Sequence, residues 1–289
     1  MTQNEQPWLI RIERARQIID VMQERAGDGL ADLARPGSDL AGDDEILGRY
    51  RTTDFLGHSL AVSLDTLRGA RAVLTAPSDG DIQLPLVAHY PLLRTAIESA
   101  SIGTWVIAPD SQHERIKRML QIRMDEVHQD ERLVKTFTYE EPGDTKTDII
   151  AKQRKRRDHV REIGPKKKAI RAAGEAIGIA YESIVHGHPG IGPIIAEIGP
   201  LLGPGANTAR GAWGYLSGIS HASYTRLVSA SDLDLVGAPG NDRAWMTTKP
   251  SVTSLALDAA MLARITLLNA IADRGGNEAL RWQKLNLEH

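Results

Sequence analysis

The sequence predicts an all-α fold, a multi-helix bundle with a Gly/Pro-rich loop near residues 187–206. Three observations carry this. Apolar residues recur at spacings of three and four through most of the chain. No alternation of apolar and polar residues lasts beyond four positions, so no half-buried strand is expected. With 289 residues, 42% of them hydrophobic, the chain can bury a large core without any cysteine to staple it. The reading is of a single helical domain over residues 1–286, its N-terminal helix (8–35) peripheral, with Leu287-Glu288-His289 resembling the start of a purification tag.

The elements follow in order. Trp8, Ile12, Ile18, Ile19 and Met22, then Leu30 and Leu33, give a first amphipathic helix, interrupted at Gly27 and Gly29 and ended by Arg35-Pro36-Gly37. Asp43, Asp44 and Glu45 open a second, where acids suit the positive end of a helix dipole, and it runs through Tyr50, Leu56, Leu60, Leu64 and Leu67 to Leu74. A third helix, from near Ala88 to Ala108, is apolar on nearly every face and is therefore the central one. Ser111 caps a fourth, charged helix reaching about Phe137. From Lys146 to about His186 the pattern is one long helix or two, with a kink or break at Gly164-Pro165. Residues 187–206 read as an apolar loop with one short helix near Ile194–Ile198. Residues 207–228 are helical, 231–249 mostly loop, and Ser251 to Asp273 a strong helix.

Composition narrows the chemistry. A formal net charge of −2 gives no global field for nucleic acid or membrane. The absence of cysteine rules out thiolate catalysis and thiolate-ligated metals, leaving His and carboxylate ligands. The N-terminus lacks the basic start and apolar core of a signal peptide, and no window of 18 residues is free of charges and helix breakers, so a cytoplasmic protein without a membrane span is expected.

Polar groups on apolar helices are the candidate site. Arg94 and Glu98 lie four apart on the central helix, and a buried pair of this kind either covers a bundle end or lines a polar pocket. Asp54 and His58, also four apart, come near its level if the second helix runs antiparallel to the third, with Asp65 nearer Glu98. Ser217 and His221 share a face in the segment Trp213 to His221. A lone histidine there is commonly structural, but His58, Arg94, Glu98 and His221 together would make an uncommonly polar interior. Trp105, Tyr215 and Ser217 complete the expected ligand contacts.

At these residues, namely Asp54-x3-His58, Leu92 to Glu98, Trp105, Arg115-x2-Arg118 and Tyr215 to His221, the sequence resembles a group of uncharacterised helical proteins common in actinobacteria, over about residues 45–225. The resemblance implies that the same positions matter, and it implies no activity.

Three functional readings stand. One is recognition of a phosphate-containing ligand or RNA, including metal-independent cleavage of the HEPN type, in which an Arg-x4–6-His motif places His as acid/base and Arg on the phosphate. Arg51/His58, Arg123/His128 and Arg154/His159 match that motif, yet 25 Arg and nine His in 289 residues give about two matches by chance. A basic run (Arg154, Lys155, Arg156, Arg157, Lys166, Lys167 and Lys168) would track phosphates, or simply be a solvated helix face, with little aromatic interleaving for base stacking. This reading calls for no metal or cofactor. The second is a metal-dependent oxidase of the ferritin-like or haem-oxygenase-like kind using Asp54/His58, Asp125/His128 and Glu182/His186, although paired Glu-x2-His motifs are missing. The third is a non-catalytic small-molecule or protein-binding module with residues 187–206 as a lid hinged on Gly187, Gly190, Gly192, Gly199, Gly203 and Gly205. Exposed apolar residues on the last helix would make a homodimer reasonable.

Overall fold

The computed structural model describes residues 5–25, 32–203, 206–236 and 243–282. The expected interruption at Gly27 and Gly29, hinge Gly205 and residues 287–289 lie outside these. Eleven α-helices and one two-stranded sheet are found among the described residues, an all-α architecture. Where the sequence is read as one domain, the contacts gather into two compact units. One comprises Met1–Ala41, Thr53–Ala108 and Gly190–His289, the other Gly42–Thr52 and Pro109–Pro189.

The first unit is built on α4 (His89–Ile107) and α11 (Pro250–Gly275), which pack against each other. The expectation of a central helix near 88–108 is met: Leu93, Ile97, Ala100 and Val106 of α4 are fully buried. Gly103 sets how close the helices come, because a Cβ there would stand 3.0 Å from Leu267 and 3.3 Å from Ser59. α1 (Gln6–Glu24) lies on α11 with Ile12, Ile19 and Met22 buried, and Asp20 pairs with Arg71 of α3 (Thr52–Val73) at 2.6 Å. At the end of α11, Gly275 passes so close to the Leu33 carbonyl that no side chain fits there. α11 is also long and apolar enough to cross a membrane, with a mean hydropathy of 1.6, but 61% of that stretch is buried within the fold. Among its described residues, the one exposed large apolar side chain is Leu255, at 42%.

Along the Gly/Pro-rich stretch, α7 (Ile191–Glu197) and α8 (Gly199–Leu202) replace a loop with one helix. α7 packs on α4 and on α9 (Ala206–Ser220), burying Ile194 and Ile195, while the Trp105 Nε1 donates to Glu197 at 2.8 Å. α10 (Tyr224–Ser229) follows, then β1 (Ser231–Val236) and β2 (Arg243–Thr248), an antiparallel pair in which Ser231 faces Thr248 and Asp234 faces Trp245. These strands fall in a region expected to be mostly loop. Each has six residues, and Leu233 and Trp245 are 48% and 69% exposed, so these apolar side chains do not mark a core-facing side.

The second unit contains the helical hairpin of α5 (Gln112–Phe137) and α6 (Lys146–Glu175). Ser111 caps α5 as expected, accepting from the Glu114 N–H, and Thr145 with Asp148 forms a capping box on α6. Of the kink or break expected at Gly164-Pro165, the break is absent, and α6 continues through Pro165. Gly164 has no Cβ for the proline ring to strike, and both residues are exposed, so the carbonyl that loses its N–H partner faces solvent. The single helix expected from Asp43 to Leu74 is instead divided: α2 (Asp39–Leu47) ends in a 3₁₀ turn over Gly48–Tyr50, with Gly48 at φ 54, before α3. The acids do something other than face a dipole. Asp44 accepts the Thr52 N–H at 2.6 Å and pairs with Arg51 at 3.1 Å, and Asp43, fully buried, takes Arg115.

Candidate functional site

Arg94 and Glu98 stand one turn apart on α4, and the helix spacing alone brings them together: Arg94 Nε donates to Glu98 Oε1 at 2.8 Å, with the side chains 24% and 22% exposed. α9 packs against α4 and supplies the rest from one face. Trp213 Nε1 donates to the same Glu98 Oε1 at 2.8 Å, and Arg94 Nη1 lies 3.3 Å from His221 Nε2. A guanidinium can only donate, so Nε2 is the acceptor in this contact and the ring proton sits on Nδ1. Ser217, one turn before His221, is half-buried on the same face. Arg94, Glu98 and His221 are thus brought together as expected from sequence.

His221 ends α9 in a Schellman motif: Ser223 N donates to Gly218 O at 2.9 Å and Ala222 N to Ile219 O at 3.0 Å. The left-handed position of that motif, usually glycine, is Ala222 at φ 58, the one non-glycine residue with positive φ among the described residues. Beyond the turn, Arg226 lies across Gly218 and donates to the Gly214 carbonyl. Its side chain occupies the space a Gly218 Cβ would need. Gly218 is one turn from His221, so Arg226 sits on the His221 side of α9 as a second arginine. Sequence reading missed Arg226. The signal was Gly218, whose missing Cβ leaves the space that the Arg226 side chain fills.

The other expected residues go elsewhere. His58 and Asp54 are exposed, with no side-chain hydrogen bond to the described residues, and do not join the cluster. The reason is amphipathicity: Leu56, Leu60, Ser63 and Leu67 form the buried stripe of α3, and Asp54, His58 and Asp65 lie on its opposite side. Trp105, 3% exposed, holds α7 through Glu197. Tyr215 turns away from Arg94: its hydroxyl is 2.6 Å from Ser229 Oγ and 3.1 Å from the Arg226 carbonyl, and it lines an apolar groove of about 520 Å³ with Leu216, Val252 and Leu255.

Of the Arg-x4–6-His pairs, Arg51 is tied to Asp44 and Arg123 to Glu126, whereas Arg154 and His159 line one groove. No group of three or more potential metal ligands gathers among the described residues, and Asp125 is engaged by Gln129 and His188. The basic run is split by the fold: Lys166 pairs with Asp130 at 3.4 Å and Lys167 with Glu131 at 2.7 Å, while Arg154, Lys155, Arg156, Arg157 and Lys168 are exposed.

Two further arginines mark what a structural role looks like. Arg115, 2% exposed, grips Asp43 with Nε and Nη2 at 2.7 and 3.0 Å and gives Nη1 to the Pro109 and Asp110 carbonyls. Arg264, also 2% exposed, donates from Nη1 to the Leu60 carbonyl at 2.5 Å and Ser63 Oγ at 2.6 Å, and burial pulls its pKa down to about 10. Nearby in sequence to the α4 start, His89 is fully buried, with Nε2 3.0 Å from Thr253 Oγ1, and desolvation lowers its pKa to about 4. Comparison with family models, with curated proteins and with solved structures finds no match to this chain.

Proposed function

We propose that the cluster of Arg94, Glu98, Trp213 and His221 recognises a phosphate group, and that a phosphodiester of RNA is cleaved there without a metal. The observation that carries this is the 3.3 Å approach of Arg94 Nη1 to His221 Nε2 at a solvent-reachable place. Glu98, itself held by Trp213, fixes the guanidinium through Nε and leaves the Nη2 end without a partner among the described residues. A phosphate oxygen accepting from that end would draw Nη1 with it and release His221 Nε2. The freed nitrogen then takes the proton of a ribose 2′-hydroxyl. The 2′-oxygen bonds to phosphorus, the P–O5′ bond breaks, and the 5′-oxygen leaves with a proton from water, giving a 2′,3′-cyclic phosphate. Arg94 offsets the charge that builds on the phosphoryl oxygens.

The test uses a diribonucleotide, uridylyl-uridine, in EDTA, with products separated by chromatography. Cleavage is expected from the native chain, lost in His221→Ala and Arg94→Met, both with unchanged helix content. Absence of cleavage by the native chain, or cleavage retained in both variants, removes this reading. The metal-dependent oxidase lacks a gathered ligand set among the described residues, and nothing comparable favours it.

A further inference from the structure

Ten cations lie between Lys152 and Arg171 on α6, and the fold sorts them by partner. Lys152 pairs with Asp144, Lys167 with Glu131 and Arg171 with Glu175, each at 2.7 Å, and Lys166 with Asp130 at 3.4 Å. Arg154 and Arg161 share Asp158 at 4.0 and 3.8 Å while 80% exposed, contacts too long and too wet to hold them. Lys155, Arg156, Arg157 and Lys168 have no partner among the described residues. Arg154, Arg157, Arg161 and Lys168 recur at intervals of three, four and seven, on the side of α6 opposite the buried Ile163 and Ile170. They form an outward row about 21 Å long.

Two features beside this row are not explained by solvation. The end of α5 and the turn after it expose Phe137 and Tyr139, both 70% accessible, and the Tyr139 carbonyl accepts from Lys152 Nζ at 3.0 Å, which fixes the ring-bearing turn at the N-terminal end of α6, where the row begins. Between α5 and α6 there is a groove of about 410 Å³ lined by Val134, Ala151, Arg154, Lys155, His159 and acids, and the buried Nε2 of His159 has no hydrogen-bond partner among the described residues. Spaced cations with exposed aromatic rings are the combination that binds phosphates and stacks bases.

We propose that the outer face of α6 is a binding surface for single-stranded nucleic acid, with phosphates along Arg154, Arg157 and Arg161 and bases against Phe137 and Tyr139. An anionic membrane fits less well: a flat anionic surface would meet Glu140, Glu141, Asp144 and Asp148 together with the rings, whereas a single strand can keep its phosphates on the cations and turn only its bases toward the turn. This surface is separate from the Arg94 cluster, and a deoxy probe without a 2′-hydroxyl reads it whether or not that cluster cleaves anything.

The experiment is fluorescence anisotropy of labelled dT20 and U20 with the full chain across a salt series. Three variants are compared: Arg154→Glu/Arg157→Glu/Arg161→Glu, its gentler form with Gln at the same three positions, and a charge-matched control, Arg14→Glu/Arg68→Glu/Arg210→Glu, at exposed sites elsewhere. The reversal should weaken binding at least tenfold and reduce the slope of log K against log salt by about 2, since each single-strand phosphate contact contributes about 0.7. The control should stay within threefold of the native chain, and the Gln variant should fall between. Unchanged binding by the reversal, or an equal loss in the control, overturns the assignment. So does capture by phosphatidylserine-containing vesicles with no binding to either oligonucleotide.

Discussion

Arg115 and Arg94 are both arginines on a helix paired with a carboxylate, yet one belongs to the framework and the other to a site. Arg115 meets Asp43 in a two-pronged pair with side-chain exposures of 2% and 0%, and its remaining donor group is taken by two carbonyls. Arg94 meets Glu98 with one nitrogen, at 24% and 22% exposure, and turns its other end toward an exposed histidine. What separates them is how many donors the protein itself satisfies. A guanidinium with every donor engaged has nothing left for a ligand, while one anchored at Nε alone is held in place and still open.

The largest effect should come from breaking the closed pair. Arg115→Met leaves the Asp43 carboxylate buried without its cation, and urea unfolding followed by circular dichroism should show a loss of about 3–5 kcal/mol. The double change Arg115→Met/Asp43→Leu sharpens the point, because removing both charges should restore most of that loss. If the double variant is as unstable as the single one, the pair is not what holds that region.

A second effect extends the contrast to His89, buried and uncharged. Its pKa falls from 6.5 to about 4 in the fold, so between those values the unfolded chain binds a proton that the folded chain does not. Stability is therefore complete above about pH 6.5 and declines as the pH falls toward 4, by up to about 3 kcal/mol. Comparing urea midpoints at pH 7 and pH 4.5 for the native chain and His89→Phe checks this, and a pH dependence that survives the substitution would assign it elsewhere.

The turn that presents His221 should respond more mildly. Ala222→Gly removes the cost of a left-handed alanine and should stabilise the protein by about 1 kcal/mol, with cleavage of the diribonucleotide unchanged. Reduced activity there would mean that the turn's stiffness helps to place the histidine. The smallest effect on stability belongs to Arg94→Met: a half-buried pair four apart on a helix, whose carboxylate keeps its Trp213 donor, is worth about 0.5 kcal/mol, while the proposed activity should vanish. A loss as large as that of Arg115→Met would abolish the distinction between the two arginines.

Much of this was legible in the chain. The apolar periodicity gave α1, α4, α5, α6 and α11, and the pairing of Arg94 with Glu98 needed only their spacing. The approach of His221 could be suspected but not placed, because it depends on α9 packing on α4. His58 was grouped with His221, although the stripe of Leu56, Leu60 and Leu67 already put it on the opposite side of α3 from the core. Arg226 carried no signal of its own apart from the one glycine, Gly218, that its side chain covers. The break between α2 and α3 was hidden because the acids that seemed to start a helix are engaged by Arg115 and by the Thr52 N–H.

The sequence by itself determined which segments are helical and which face of each is apolar, since periodicity is a local property set by 3.6 residues per turn. Tertiary structure alone decided which of the many arginines are closed and which remain open. That depends on carbonyls and carboxylates far away in the chain, such as Asp43 for Arg115 and Leu60 for Arg264, and no local pattern encodes such partners.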